Sequence, residues 1–271
     1  MGKRIAFIGV GNMASAIING IVSNSKEFKK EDIILYDKIK EKPQAYSGMT
    51  VAESAYEAAD KADYVVFAVK PQNFEEVLGQ LKECGLEYGK KTFITIAAGI
   101  TCGFIEKYFP NASVVRAMPN TPMLIGKGVC SVCRNQYVSD EAFKTSFSLF
   151  SSLGVAFELG EDKMNEIISL TSSSPAYIFL FIKALMDGAA AQGIRFEDEK
   201  ELRRIACETV IGSAQLLMSS EKTPEQLISD VTSPGGTTAK AMEVFYNSGF
   251  EEIVNRAMIA CTKRAAELSD N

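Results

Sequence analysis

Short apolar runs of strand length recur through the first part of the chain, near 4–8, 33–37, 64–69, 93–97, 113–117, 129–133 and 155–159. Stretches with helical periodicity separate most of them, and strands alternating with helices predict right-handed crossovers and a doubly wound, mainly parallel sheet of Rossmann type. Some mixed pairing is expected toward its far edge. Beyond about residue 162 the strand pattern stops and long apolar helical faces take over, interrupted by polar breaks near 195–198 and 219–224. The predicted fold class is therefore α/β, with a Rossmann-type domain at 1–161, whose ligand class the glycines at its start indicate below, and an all-α domain at 162–271. Within the second domain, Ala176 to Met186 is apolar almost all round. Roughly 110 helical residues make a thin core alone, so this helix is expected to bury itself against another subunit; a central core helix within one subunit is the other reading.

The first apolar run breaks at Gly9 and Gly11 and continues through Asn12, Met13 and Ala14 into a good helix former. Strand, tight turn and helix in this order form the dinucleotide fingerprint. Gly9 permits the turn, Gly11 lets backbone approach a pyrophosphate, and Ala14 allows close packing of helix on strand beneath the positive helix end. In a doubly wound sheet, ligands gather at the carboxyl ends of the strands. Those ends carry Gly9-Val10-Gly11, Asp37-Lys38, Ala68-Val69-Lys70-Pro71, Ala97-Ala98-Gly99 and Met118-Pro119-Asn120-Thr121-Pro122.

Composition narrows the chemistry. The 271 residues carry a formal net charge of −5, with no block of Lys or Arg, which argues against nucleic acid or an anionic membrane as partner. The longest later apolar run, Ala176 to Ile182, ends at Lys183, so neither a signal peptide nor a spanning helix is expected, and a cytoplasmic location is. Six cysteines without a secretion signal read as reduced thiols. Cys130 and Cys133 lie three apart on a predicted strand and point to opposite faces, which argues against a shared metal. The chain has no histidine, which removes Ser-His-Asp and Cys-His catalysis and the commonest metal ligand. No metal is expected.

A second distinctive run, Thr232-Ser233-Pro234-Gly235-Gly236-Thr237-Thr238, leads into another helical pattern. Its N–H groups and hydroxyls suit a carboxylate and a reacting nitrogen; ordinary helix capping is the other use of such residues. Together with Phe7 to Ala14, Ala68 to Gln72, Ala97 to Ile100, Arg116 to Pro122 and Ser174-Pro175-Ala176-Tyr177, in that order, these residues make the chain resemble the pyrroline-5-carboxylate reductases over nearly its whole length.

The resemblance implies an NAD(P)H-dependent oxidoreductase that reduces the small cyclic imine L-1-pyrroline-5-carboxylate to L-proline, the last step of proline synthesis. It also implies a homodimer that can assemble further, into a decamer. Carried over by residue, Gly9, Gly11, Asn12, Met13 and Ala14 hold the pyrophosphate, and Ala68, Val69, Lys70 and Pro71 flank the adenosine side and the nicotinamide ribose. Ala97, Ala98, Gly99 and Asn120 surround the nicotinamide. Ser174, Gly235, Gly236, Thr237 and Thr238 form the substrate pocket, with Thr238 as the catalytic contact to the ring nitrogen.

Two positions depart from the pattern or leave it open. Thr171-Ser172-Ser173-Ser174 stands where many relatives have Ser-Gly-Ser, replacing a flexible residue by a hydroxyl. Asp37 lies near the offset of roughly 20 residues expected of an acid on the NAD ribose, which leans toward NADH, while the adjacent Lys38 suits the phosphate of NADPH. The sequence also admits a related imine reductase or hydroxyacid dehydrogenase with Lys183 as general acid, and a non-catalytic NAD(P)-binding sensor.

Overall fold

A computed structural model describes residues 3–25 and 27–269. Eight strands, β1 (Ile5–Ile8), β2 (Ile33–Tyr36), β3 (Thr50–Val51), β4 (Tyr64–Phe67), β5 (Thr92–Thr95), β6 (Ser113–Met118), β7 (Gly128–Arg134) and β8 (Gly154–Glu158), form one sheet in the order β3-β2-β1-β4-β5-β6-β7-β8. The first seven helices are α1 (Asn12–Asn24), α2 (Glu41–Gln44), α3 (Ala55–Asp60), α4 (Phe74–Glu83), α5 (Cys102–Glu106), α6 (Asp140–Ser151) and α7 (Glu166–Thr171). Then come α8 (Ser174–Ala191), α9 (Glu199–Ser219), α10 (Pro224–Asp230), α11 (Thr237–Asn247) and α12 (Phe250–Ser269).

Strand β1 explains the architecture in miniature. All four of its residues are buried; Ile5 and Phe7 enter one core with Ile17, Ile18 and Phe150, while Ala6 and Ile8 enter the other with Ala58, Leu78 and Ile105. A sheet covered on both faces needs apolar side chains in both phases of its period-two pattern, which is why its strands read as continuous apolar runs. Each large apolar side chain contributes roughly 1.5–3 kcal/mol by leaving water.

Pairing is parallel from β3 through β6, antiparallel between β6 and β7, and parallel again between β7 and β8. The link from Met118 to Gly128 is too short for a crossover, which takes a dozen or more residues, so β7 returns antiparallel and the expected mixed edge is present. Strand β3 has no apolar run behind it and was invisible to the sequence pattern.

Two compact units result: Met1–Ser173 with Ala260–Asn271, and Ser174–Ile259. The boundary expected at 161/162 thus falls inside the first unit. Met164, Ile168 and Ala265 share a small core with Met118 and Cys133 of the sheet, so α7 and the last turns of α12 group with it. A helical texture in sequence says nothing of what the helix packs on.

The second unit is a set of helices with little interior of its own. Helix α8 has no buried residue, and Phe179 and Leu180 are 63% and 68% exposed. Phe250 packs its ring against Phe181 and Phe245 at 6.4 and 5.3 Å. Among the described residues one run, Glu166–Ala191, is long and apolar enough by length and composition to cross a membrane, with a mean hydropathy of 1.3. The run is broken at residues 172–173, between α7 and α8.

Candidate active site

The fingerprint turn follows from its backbone. Gly9 has φ +97°, and a Cβ there would lie 2.8 Å from the carbonyl of Ala68. Only glycine fits, because both the left-handed backbone and the neighbouring strand exclude a side chain. Gly11 starts α1 at its N-cap without any side-chain cap, and a Cβ there would meet nothing within 4 Å. Packing therefore does not demand this glycine. The open space lies at a positive helix end whose first N–H groups carry no cap, the fit a pyrophosphate requires. Ala14 is buried against the core beneath it, consistent with its expected packing role.

A groove of about 470 Å³ runs along the ends of β1, β2 and β4. Gly9, Gly11, Asp37, Lys38, Ala68, Val69 and Lys70 all line it, so seven of the residues expected at the cofactor converge. The sheet order places this groove at the switch point, where β2 and β4 flank β1 on opposite sides. Tyr36, Lys42, Asn73, Val77 and Gln80 also line it and were missed from sequence. Val77 belongs to an ordinary amphipathic helix, whose pattern marks a core face and not a groove.

Asp37, which lines the groove, also holds the turn beside it. Its Oδ2 accepts the Val10 N–H at 2.7 Å and its Oδ1 accepts the Ile39 N–H at 2.9 Å, with the Lys42 ammonium 3.6 Å away. The carboxylate braces the glycine turn to the end of β2. The Lys38 ammonium is held by the Glu76 carboxylate on α4, at 2.7 Å.

Pro71 and Gly99 line a second groove with Gln72, Glu75, Ile100, Phe104 and Leu268. Ala97 is buried and Ala98 half-buried. Asn120 is also buried, its amide donating to the Thr171 carbonyl at 2.9 Å and its Oδ1 accepting the Val129 N–H at 2.8 Å. It fixes the turn after β6 in place.

In the second unit, Gly235 has φ +73° and Gly236 is the N-cap of α11, with no side-chain cap. A Cβ on Gly236 would lie 2.5 Å from Ser233 Oγ, which can rotate away, and 3.0 Å from its carbonyl oxygen, so a side chain there would crowd the turn. The capping alternative for the threonines is not what the helix start shows. Thr237 is exposed and Thr238 half-buried, and an uncapped helix start with adjacent hydroxyls suits a carboxylate. Ser174 begins α8. Lys183 is exposed and paired with Asp187 at 2.5 Å.

The chain matches two family models, described as pyrroline-5-carboxylate reductase dimerisation over residues 161–268 and NADP oxidoreductase coenzyme F420-dependent over residues 4–99. The pyrroline-5-carboxylate reductase of Escherichia coli strain K12 is 33% identical over 99% of each chain. That of Pseudomonas aeruginosa is 35% identical over 98% of this chain and 97% of its own. Among solved structures, Plasmodium falciparum pyrroline carboxylate reductase with NADP bound superposes with a TM-score of 0.89 at 28% identity, covering 98% of both chains.

Proposed function

The chain belongs to the pyrroline-5-carboxylate reductase family, and we infer from this that it is an NAD(P)H-dependent oxidoreductase reducing L-1-pyrroline-5-carboxylate to L-proline, the step that completes proline synthesis. The observation that carries the reading is identity of one third sustained over essentially the full length of both chains. The reduced nicotinamide, when bound, supplies the hydride. The protein's residues bind and orient. Gly9, Gly11 and the first N–H groups of α1, on Asn12, Met13 and Ala14, would hold the pyrophosphate, with Ala68 to Pro71 alongside and Ala97 to Gly99 near the nicotinamide. Asn120 acts there as a brace. The N–H groups of Gly236 and Thr237 take the substrate carboxylate, and the Thr238 hydroxyl reaches the ring nitrogen, with Gly235 and Ser174 completing the pocket. Because the imine nitrogen accepts the electron pair as its carbon is reduced, positioning supplies most of the catalysis and a histidine-free site suffices.

The apolar surface of α8 falls within the matched dimerisation region. A second copy of the chain covers this surface in our reading, which makes Glu166–Ala191 a subunit-facing run and the protein a soluble, cytoplasmic homodimer able to build a decamer. Consumption of NADH and of NADPH, followed by their near-ultraviolet absorbance with and without pyrroline-5-carboxylate, tests the reading. Oxidation that depends on the imine is expected; cofactor binding without turnover would overturn it.

A further inference from the structure

We propose that Cys102, Cys133 and Glu161 form a binding site for a thiophilic divalent cation of the zinc class, separate from the substrate and cofactor residues. The two sulfurs and a carboxylate oxygen all lie within 4.8 Å of one another. In a tetrahedral zinc site with Zn–S near 2.3 Å, two sulfurs sit about 3.8 Å apart, so modest side-chain adjustment closes the set around one ion. Each donor is held by a different element: Cys102 opens α5, Cys133 lies on β7, and Glu161 follows β8. Glu161 Oε1 accepts the Cys102 N–H at 2.8 Å and lies 3.5 Å from the Arg116 guanidinium.

The charge balance admits the ion. Arg116 is 1% exposed, faces Cys133 directly in the strand register, and has an Nε without a partner. A buried guanidinium of this kind is stable only with compensating negative charge. Two thiolates and one carboxylate balance a divalent cation plus that guanidinium to zero. Two sulfur donors favour zinc-like ions over magnesium or calcium, which prefer oxygen. Both thiols are buried, whereas the Glu161 side chain is 35% exposed and gives the ion and a completing water their way in. Cys130 points into the opposite core, so the partner of Cys133 is Cys102 and not its neighbour in the Cys-x-x-Cys motif. Cys102 also lies just beyond Gly99 and Ile100 of the second groove, so an ion here would tie that turn to β7.

The test is titration of the reduced, metal-stripped full-length protein with Cd²⁺ alone, reading thiolate-to-cadmium absorption and proton release, then competition with Zn²⁺. One equivalent bound with about two protons released is expected, because thiols deprotonate to ligate. The signal should vanish in Cys102→Ser and in Cys133→Ser and persist in Cys84→Ser. Glu161→Gln retains an acceptor for the Cys102 N–H and should bind at least about 10-fold more weakly. Absence of the band at one equivalent, its survival in both serine variants, or unchanged affinity in Glu161→Gln overturns the site. Should the serine variants fail to fold, the native titration and Glu161→Gln decide.

Discussion

Both oxygens of Asp37 accept backbone N–H groups, from Val10 and Ile39, so removing the carboxylate should loosen the glycine turn that either cofactor shares. Asp37→Ala is expected to weaken NADH and NADPH to a similar degree, about 10-fold, at the usual worth of hydrogen bonds to a charged group. Fluorescence titration distinguishes this from a ribose-reading role, which would cost NADH alone. Lys38 and Glu76 are both about half exposed, so their pair is worth little, and Glu76→Gln should release the ammonium for a 2′-phosphate. NADPH affinity is then expected to rise about 2- to 5-fold with NADH unchanged. Thr238→Ala should lower kcat/KM by about 10- to 100-fold, the loss of one hydrogen bond worth roughly 1.5–3 kcal/mol. An unaltered steady-state rate would remove this hydroxyl from the mechanism.

Among the elements, the β7–β8 pair rests on two facing glycines. Gly154 has φ +142°, and a Cβ there would lie 2.1 Å from the Gly128 carbonyl oxygen, its register partner. Backbone cannot yield as a side chain does, so Gly154→Ala combines conformational strain with a clash at the start of the strand. A loss on the order of 3 kcal/mol is expected, read as a fall of about 6–12 °C in the thermal midpoint of the sheet-containing unit. Gly20→Ala offers the contrast. Its Cβ would overlap only the Leu153 side chain, which has rotamers to choose from, so the cost should be smaller.

For the molecule as a whole, the thin interior of the helical unit sets the prediction. Phe179 and Leu180 lie on a helix without one buried residue, and apolar surface of this kind is stable when a partner covers it. In the proposed dimer, Phe179→Asp with Leu180→Asp should raise the dissociation constant by at least about 100-fold, the loss of two anchors at roughly 2 kcal/mol or more each. Sedimentation velocity measures this directly, and the native thermal midpoint should climb with protein concentration. The sequence by itself determined the strands of the sheet other than β3, the helical texture between and after them, the glycine turn, the absence of histidine chemistry and the family resemblance, because periodicity and local backbone demands are written in neighbouring residues. Only the tertiary structure decided that Asp37 braces a turn, that α7 and the end of α12 pack on the sheet, and that Cys102, Cys133 and Glu161 meet. Those facts depend on which distant side chains share a face, and no spacing along the chain encodes that.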